Sequence, residues 1–197
     1  MATRVLKPAR DPAVRSGPNP AYIIPCLATD IGRPPSGEKW VHEIKLDGFR
    51  SQLHLRNGEV TIYSRGGHDW TERYRSIAVQ AARLSAKHLI VDGEMVVLRE
   101  DGTCDFWALQ KGERGSLSDR VTYFAFDLLY KDGEDLRRRP FLERKELLRK
   151  SLETSFDRIR YVEHFEADGP TPSGCGRRLA ISCWSISPRC RRCRRRC

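Results

Sequence analysis

Residues 42–50 read His42-Glu43-Ile44-Lys45-Leu46-Asp47-Gly48-Phe49-Arg50, and the fold is read outward from the way that stretch alternates. At the two-residue period of a strand, His42, Ile44 and Leu46 fall on one side and Glu43, Lys45 and Asp47 on the other. The pattern predicts a strand over 41–46 that carries a lysine between two carboxylates on one face, then a glycine turn and an arginine. By residue type alone this is a half-exposed strand with an ion-paired lysine. A nucleophilic lysine would also need its pKa lowered from about 10.4, by desolvation or by neighbouring cations.

The flanking sequence extends the β-rich reading. Runs 51–55 and 60–64 alternate in the same way, and Asn57-Gly58 between them is a hairpin turn. Thr71 and Glu72 open a helical stretch to about residue 85, with Tyr74, Ile77, Ala78, Ala81 and Ala82 on one face. A strand over 88–98, a turn at Glu100-Asp101-Gly102 and a short helix over 106–110 follow. An apolar strand over 121–130 ends at Lys131-Asp132-Gly133, and Pro140 opens a helix over 141–152. Consecutive strands with tight turns and occasional helices predict an α+β fold, mainly antiparallel sheets flanked by helices. Residues 1–20, with four prolines and four basic residues, read as a flexible lead-in to a domain over 21–170.

Composition narrows the class. The chain has 197 residues, of which 39% are hydrophobic and 31% charged, which suits one domain with a real core. No stretch approaches the roughly 20 apolar residues that a spanning helix needs, and no apolar leader opens the chain. The expectation is a soluble, cytoplasmic protein with no membrane partner. The net charge of +10 is unevenly placed: eight of the 36 basic residues and none of the 26 acidic ones lie in 171–197. The first 170 residues therefore carry 28 basic and 26 acidic residues, a balance of +2. Cys26 and Cys104 stand alone, as suits a reducing compartment, whereas Cys175, Cys183, Cys190, Cys193 and Cys197 crowd the end.

Lys45-Leu46-Asp47-Gly48-Phe49-Arg50 resembles the KxDGxR motif of covalent nucleotidyltransferases: ATP-dependent DNA ligases, RNA ligases and mRNA capping enzymes. Its surroundings resemble the ligase module of bacterial multifunctional end-joining DNA ligases. The matching stretches are Pro25 through Lys45, Ser64-Arg65-Gly66-Gly67-His68-Asp69-Trp70-Thr71 and Val91-Asp92-Gly93-Glu94. Phe106-Trp107-Ala108-Leu109-Gln110 and Tyr123-Phe124-Ala125-Phe126-Asp127-Leu128-Leu129 continue the series in the family's order. The resemblance covers about residues 22–165 and implies the ligase and capping-enzyme nucleotidyltransferase fold.

It also implies roles. Lys45 would attack the α-phosphorus of ATP to give a lysyl-AMP and pyrophosphate. Arg50 and Arg65 would contact the nucleotide or the nick termini, with Arg65 on the 5′-phosphate. Glu94 would hold the ribose, Phe126 would stack on adenine, and Glu43 would line the adenine pocket. Mg²⁺ would accompany the triphosphate, with no metal site built from protein ligands. Nicked or broken double-stranded DNA would be the polynucleotide, a Ku-type end-binding protein a partner, and the chain a monomer. The residue types suit these tasks: arginine matches phosphate geometry, and a carboxylate accepts hydroxyl protons. Taken singly, Arg65 is a solvated turn residue and Phe126 a core aromatic. His68, His88 and His164 lack metal-ligand spacing.

The family's later motifs, a second carboxylate motif and a Trp-x-Lys-x-Lys motif, are expected after about residue 165. Beyond Asp168 the sequence holds neither lysine nor acid. Residues 171–197 are therefore expected to be a disordered or frameshifted Arg/Cys-rich tail, leaving the fold incomplete at its C-terminus and the activity impaired. A zinc site from Cys183, Cys190, Cys193 and Cys197 is opposed by arginine between the last three cysteines. Two other functional classes stay open: an RNA ligase or capping-type enzyme, and a catalytically dead nucleotide or nucleic-acid binder.

Overall fold

A computed structural model of the chain describes residues 21–27, 40–111, 119–153 and 157–165, and the backbone of 183–186. In chain order the strands are β1 (Val41–Ile44), β2 (Phe49–Arg56), β3 (Glu59–Ser64), β4 (His88–Val97) and β5 (Val121–Lys131). They continue with β6 (Glu134–Asp135), β7 (Ile159–Tyr161), β8 (His164–Phe165) and β9 (Cys183–Ile186). The helices are α1 (Arg75–Ala81), α2 (Phe106–Lys111) and α3 (Phe141–Ser151). The expected lead-in over 1–20 and the cysteines from Cys190 onward lie outside the described residues.

Two dipeptides fix the main registers. Asn57 and Gly58 have φ of 49° and 87°, and Asp132 and Gly133 of 44° and 102°. A two-residue loop with both φ positive matches the right-handed twist of the strands it joins. The flanking pairs Arg56↔Glu59 and Lys131↔Glu134 close these hairpins. The second hairpin adds β6, which the sequence pattern showed only as a turn. The larger sheet runs β3-β2-β4-β5-β6, with β7 beside β5. Its pairs are antiparallel, as expected, except β5 with β7, which is parallel. The smaller sheet runs β8-β1-β9.

Alternation along β2 to β5 supplies the core, where Leu53, Leu55, Ile62, Leu89, Val91 and Tyr123 are fully or almost fully buried. The helical stretch after Thr71 is shorter than its pattern predicts. A 3-10 turn over Glu72–Tyr74 leads into α1, which stops at Ala81. Tyr74, Ile77, Ala78 and Ala81 do face the core, but Ala82 is exposed and Leu84 is buried in its place. On α3 the inward positions are Phe141, Arg144, Lys145 and Leu148, an i, i+3, i+4, i+7 stripe that includes two charges. That stripe was not evident from residue type, because its partners, Asp127 and Glu43, lie on distant strands.

The first strand departs furthest from expectation. β1 ends at Ile44, so residues 45–47 form a loop and Glu43, Lys45 and Asp47 do not share a strand face. His42 and Glu43 are both buried and Ile44 is 46% exposed, the reverse of simple alternation. Glu43 is buried because its carboxylate pairs with Lys145 of α3, while Ile44 at the end of the strand is left exposed. In the tail expected to be disordered, Cys183–Ile186 form β9, paired with β1 through Val41↔Ile186, His42↔Ser185, Glu43↔Trp184 and Ile44↔Cys183.

His54 is the least solvated titratable group of β2, at 2% exposure, with a side-chain hydrogen bond to Gln52. Burial, followed by the Arg56 charge, pulls its pKa from 6.5 down to about 3. The unfolded chain therefore binds the proton first, and the stability carried by neutral His54 is complete above pH 6.5 and lost as pH falls towards 3. Between pH 7 and 5.5 the wild type should lose about 1 kcal/mol more stability than His54→Leu. Urea denaturation of both proteins at the two pH values measures this difference.

Candidate active site

Lys45 to Gly48 carry the chain from the small sheet to the large one, and the candidate site is built on that crossing. Lys45 is exposed just past the end of β1. Gly48 passes so close over β4 that a Cβ there would sit 2.1 Å from the Met95 carbonyl oxygen. No side chain fits such an approach, so the glycine is set by proximity; its φ is not in the left-handed region. Its N–H donates to the Glu94 carboxylate, which orients that side chain.

Beyond the glycine, β2 and β4 place Arg50 beside Glu94 as direct cross-strand partners. Arg50 grips Asp92 through two hydrogen bonds of 3.1 and 2.8 Å and donates a third to the Cys26 carbonyl at 2.5 Å. Burial alone would lower the Arg50 pKa, but the Asp92 carboxylate outweighs it and the net shift is upward. Gly93 lies between the two acids, where a Cβ would meet the Tyr123 ring at 2.5 Å and the Phe124 carbonyl oxygen at 2.6 Å. Opposite it the register jumps from Asp92↔Asp127 to Gly93↔Ala125, so Phe126 is the extra residue of a β-bulge. The Arg50 guanidinium stands 5.4 Å from the centre of the Phe126 ring.

The third wall is the loop after β3. Ser64 accepts from the Gly67 N–H through its carbonyl at 2.9 Å and from the His68 N–H through its hydroxyl at 3.1 Å, which holds the turn tightly. Arg65 is exposed on this turn. Its carbonyl accepts the Tyr22 hydroxyl proton. Phe49 packs against Trp70 at 5.6 Å and against Phe106 at 5.5 Å between ring centres. Arg73 stacks behind them, 5.4 Å from Phe49 and 5.3 Å from Trp70.

These elements enclose a cavity of about 580 Å³. Lys45, Arg50, Arg65 and Glu94 all line it, together with Asp47 and the aromatic side chains of Phe49, Trp70 and Phe106. Glu43 and Phe126, expected at the same pocket, are not among the lining residues. Phe126 is turned beneath Arg50 by its bulge. Glu43 points the other way and accepts from the Lys145 ammonium at 2.6 Å. Burial pushes Glu43 up to about 7, opposed by Lys145. Burial also pushes Glu94 up to about 7, opposed by Arg50. Sequence reasoning gave no role to Trp70 and Phe106, although both stand in the family-like stretches. It also missed Asp92 as the clamp on Arg50, because a bidentate pair across 42 residues leaves no local signal.

Chemically, the cavity offers an amine, two guanidinium groups and a hydroxyl-accepting carboxylate beside an aromatic wall. On a fold of two mainly antiparallel sheets, these groups could together hold phosphate, hydroxyl groups and a planar aromatic ring. The family model described as ATP dependent DNA ligase domain matches residues 29–171, and the chain belongs to that family. The multifunctional non-homologous end joining protein LigD of Pseudomonas aeruginosa is 41% identical over 155 residues, 77% of this chain and 18% of that protein. Its counterpart from Mycobacterium tuberculosis is 32% identical over 173 residues, 88% of this chain and 22% of that protein. The chain thus spans about a fifth of these relatives. The solved ligase domain of M. tuberculosis LigD superimposes with a TM-score of 0.62 at 31% identity, covering 74% of this chain and 47% of that one. A mycobacterial DNA ligase D complexed with ATP and MES gives 0.61 at 31% identity, with the same coverage.

The clamp on Arg50 has a measurable consequence. Asp92→Asn leaves a largely buried guanidinium without its carboxylate, a change that typically costs about 3–5 kcal/mol. The variant should unfold at correspondingly lower urea concentration, and an unchanged midpoint would show that Asp92 does not hold Arg50.

Proposed function

We propose that this chain is an adenylation module in which Lys45 accepts AMP from ATP as the first step of sealing broken or nicked DNA. The observation that carries the reading is the convergence of Lys45, Arg50, Arg65 and Glu94 on one cavity from three separate chain segments. Lys45 stands free of any strand and lines the cavity, where its amine is open to attack a phosphorus of bound ATP. Arg65, exposed at the rim, suits a phosphate of the nucleotide or of a DNA end. Arg50 is held by Asp92, so it enters the cavity as a fixed charge rather than a mobile one. Preorganised charge of this kind is what stabilises a phosphoryl transition state.

Glu94 uses its carboxylate on the Gly48 N–H and has acceptor capacity left for ribose hydroxyls. Phe49, Trp70 and Phe106 offer a face for a base, with stacking worth about 1–3 kcal/mol. Among the described residues no group of three His, Cys, Asp or Glu is placed to hold a metal. The reading brings Mg²⁺ in with the triphosphate, with Asp47 and Glu94 as carboxylates lining the same cavity. Its chemistry is neutralisation of phosphate charge. The end-joining relatives support DNA with broken ends as the polynucleotide, and the proposal adds a Ku-type protein as partner. Cys26 and Cys104 are free thiols, which fits a reducing cytoplasm.

The first half-reaction is directly measurable on this chain. Intact mass after incubation with ATP and Mg²⁺ should rise by one AMP, and Lys45→Ala should abolish the gain. Nucleotide binding without a mass gain in the wild type would instead favour a binding remnant.

A further inference from the structure

Lys145 is wholly buried, yet it lies on α3, far in sequence from the motifs that line the cavity. Its ammonium donates to Glu43 Oε1 at 2.6 Å and to the Val162 carbonyl, and stands 4.2 Å from the centre of the Tyr161 ring. Val162 is itself fixed to the large sheet, because its N–H donates to the Ala125 carbonyl at 2.9 Å. One side chain therefore ties together α3, the segment after β7, and β1. β1 shares its backbone ladders with β8 and β9 in the small sheet, whereas the opposite walls of the cavity hang on β2 and β4. Glu43 is two residues before Lys45, so whatever fixes Glu43 fixes the origin of the loop that carries the nucleophile.

A buried ion pair is rarely retained for stability, since well-packed apolar residues of similar volume do as well or better. What such a pair supplies is a directional constraint, with a carboxylate at hydrogen-bonding distance and a cation seated in an aromatic box. We propose that Lys145 is a positioning residue that, through Glu43, holds β1 and hence Lys45 in register with the phosphate-facing wall of Arg50 and Glu94. The role rests on the adenylation reading given above and goes beyond it, because Lys145 does not line the cavity.

Three variants test the proposal: Lys145→Met, Lys145→Arg, and the double variant Lys145→Met with Glu43→Leu. The rate of AMP incorporation at Lys45 is followed by intact mass against ATP concentration, and hydrogen exchange is followed over residues 41–47 and 88–97. Lys145→Met should lower the maximal rate about tenfold or more, with the half-saturating ATP concentration changed less than threefold. Exchange of 41–47 should rise while 88–97 stays protected. Lys145→Arg, which keeps the cation, should restore most of the rate. The double variant leaves no lone buried charge, so it should regain stability but not rate. Recovery of rate in the double variant, or unchanged exchange of 41–47 in Lys145→Met, would overturn the positioning role. A wild-type chain that takes up no AMP overturns the adenylation reading instead, and the exchange comparison still decides whether Lys145 holds β1.

Discussion

The crossing at Lys45–Gly48 is the constraint on which the site depends. In four residues the chain leaves a three-stranded sheet and enters a six-stranded one, passing over β4 with no room for a side chain at Gly48. The tight passage sets two things at once. It leaves Lys45 outside any ladder, free to face the cavity, and it brings the Gly48 N–H onto Glu94. Arg50 follows directly, in register with Glu94 across β2 and β4. A nucleophile candidate, a carboxylate and a guanidinium are thus fixed by one stretch of backbone and the strand beside it.

Behind that wall the protein buries an unusual amount of charge. Asp92 and Asp127 are cross-strand neighbours, and each is gripped by an arginine through two hydrogen bonds, Arg50 at 3.1 and 2.8 Å and Arg144 at 2.8 Å twice. Glu43 with Lys145 forms a third pair in the same layer. The carboxylates feel one another: burial is the leading cause of the raised pKa of Asp92 and Glu43, and the Asp127 charge adds to both. Burying like charges side by side is tolerable only when each has a cation at hydrogen-bonding distance. The layer therefore acts as a set of mutual constraints between the strands and α3, and the cavity inherits its geometry from them.

The tail shows where composition misleads. Residues 171–197 differ from the rest of the chain in charge and cysteine content, and that difference hides the short run Cys183-Trp184-Ser185-Ile186. An edge of β1 left open would expose unpaired N–H and C=O groups, and this run pairs with it. Strand signals four residues long are too short to separate from their surroundings by pattern alone. A similar limit applies to Phe126, where the alternation of an apolar strand gave no sign of the bulge that turns the ring beneath Arg50.

By itself the sequence determined the local structure and the family. Asn57-Gly58, the alternation of β2 to β5 and the stripe on α1 are properties of neighbouring residues, and backbone sterics and burial act on them locally. The ordered motifs pointed to Glu43, Lys45, Arg50, Arg65, Glu94 and Phe126 as residues of one site; Lys45, Arg50, Arg65 and Glu94 line one cavity, and Glu43 and Phe126 do not. Only the tertiary structure decided what those residues touch. It sent Glu43 to Lys145 across 102 residues, Arg50 to Asp92 across 42, and Phe49, Trp70 and Phe106 into one aromatic wall. Hydrogen bonds and ion pairs between distant segments depend on how two sheets and a helix are brought together, and no periodicity along the chain encodes that.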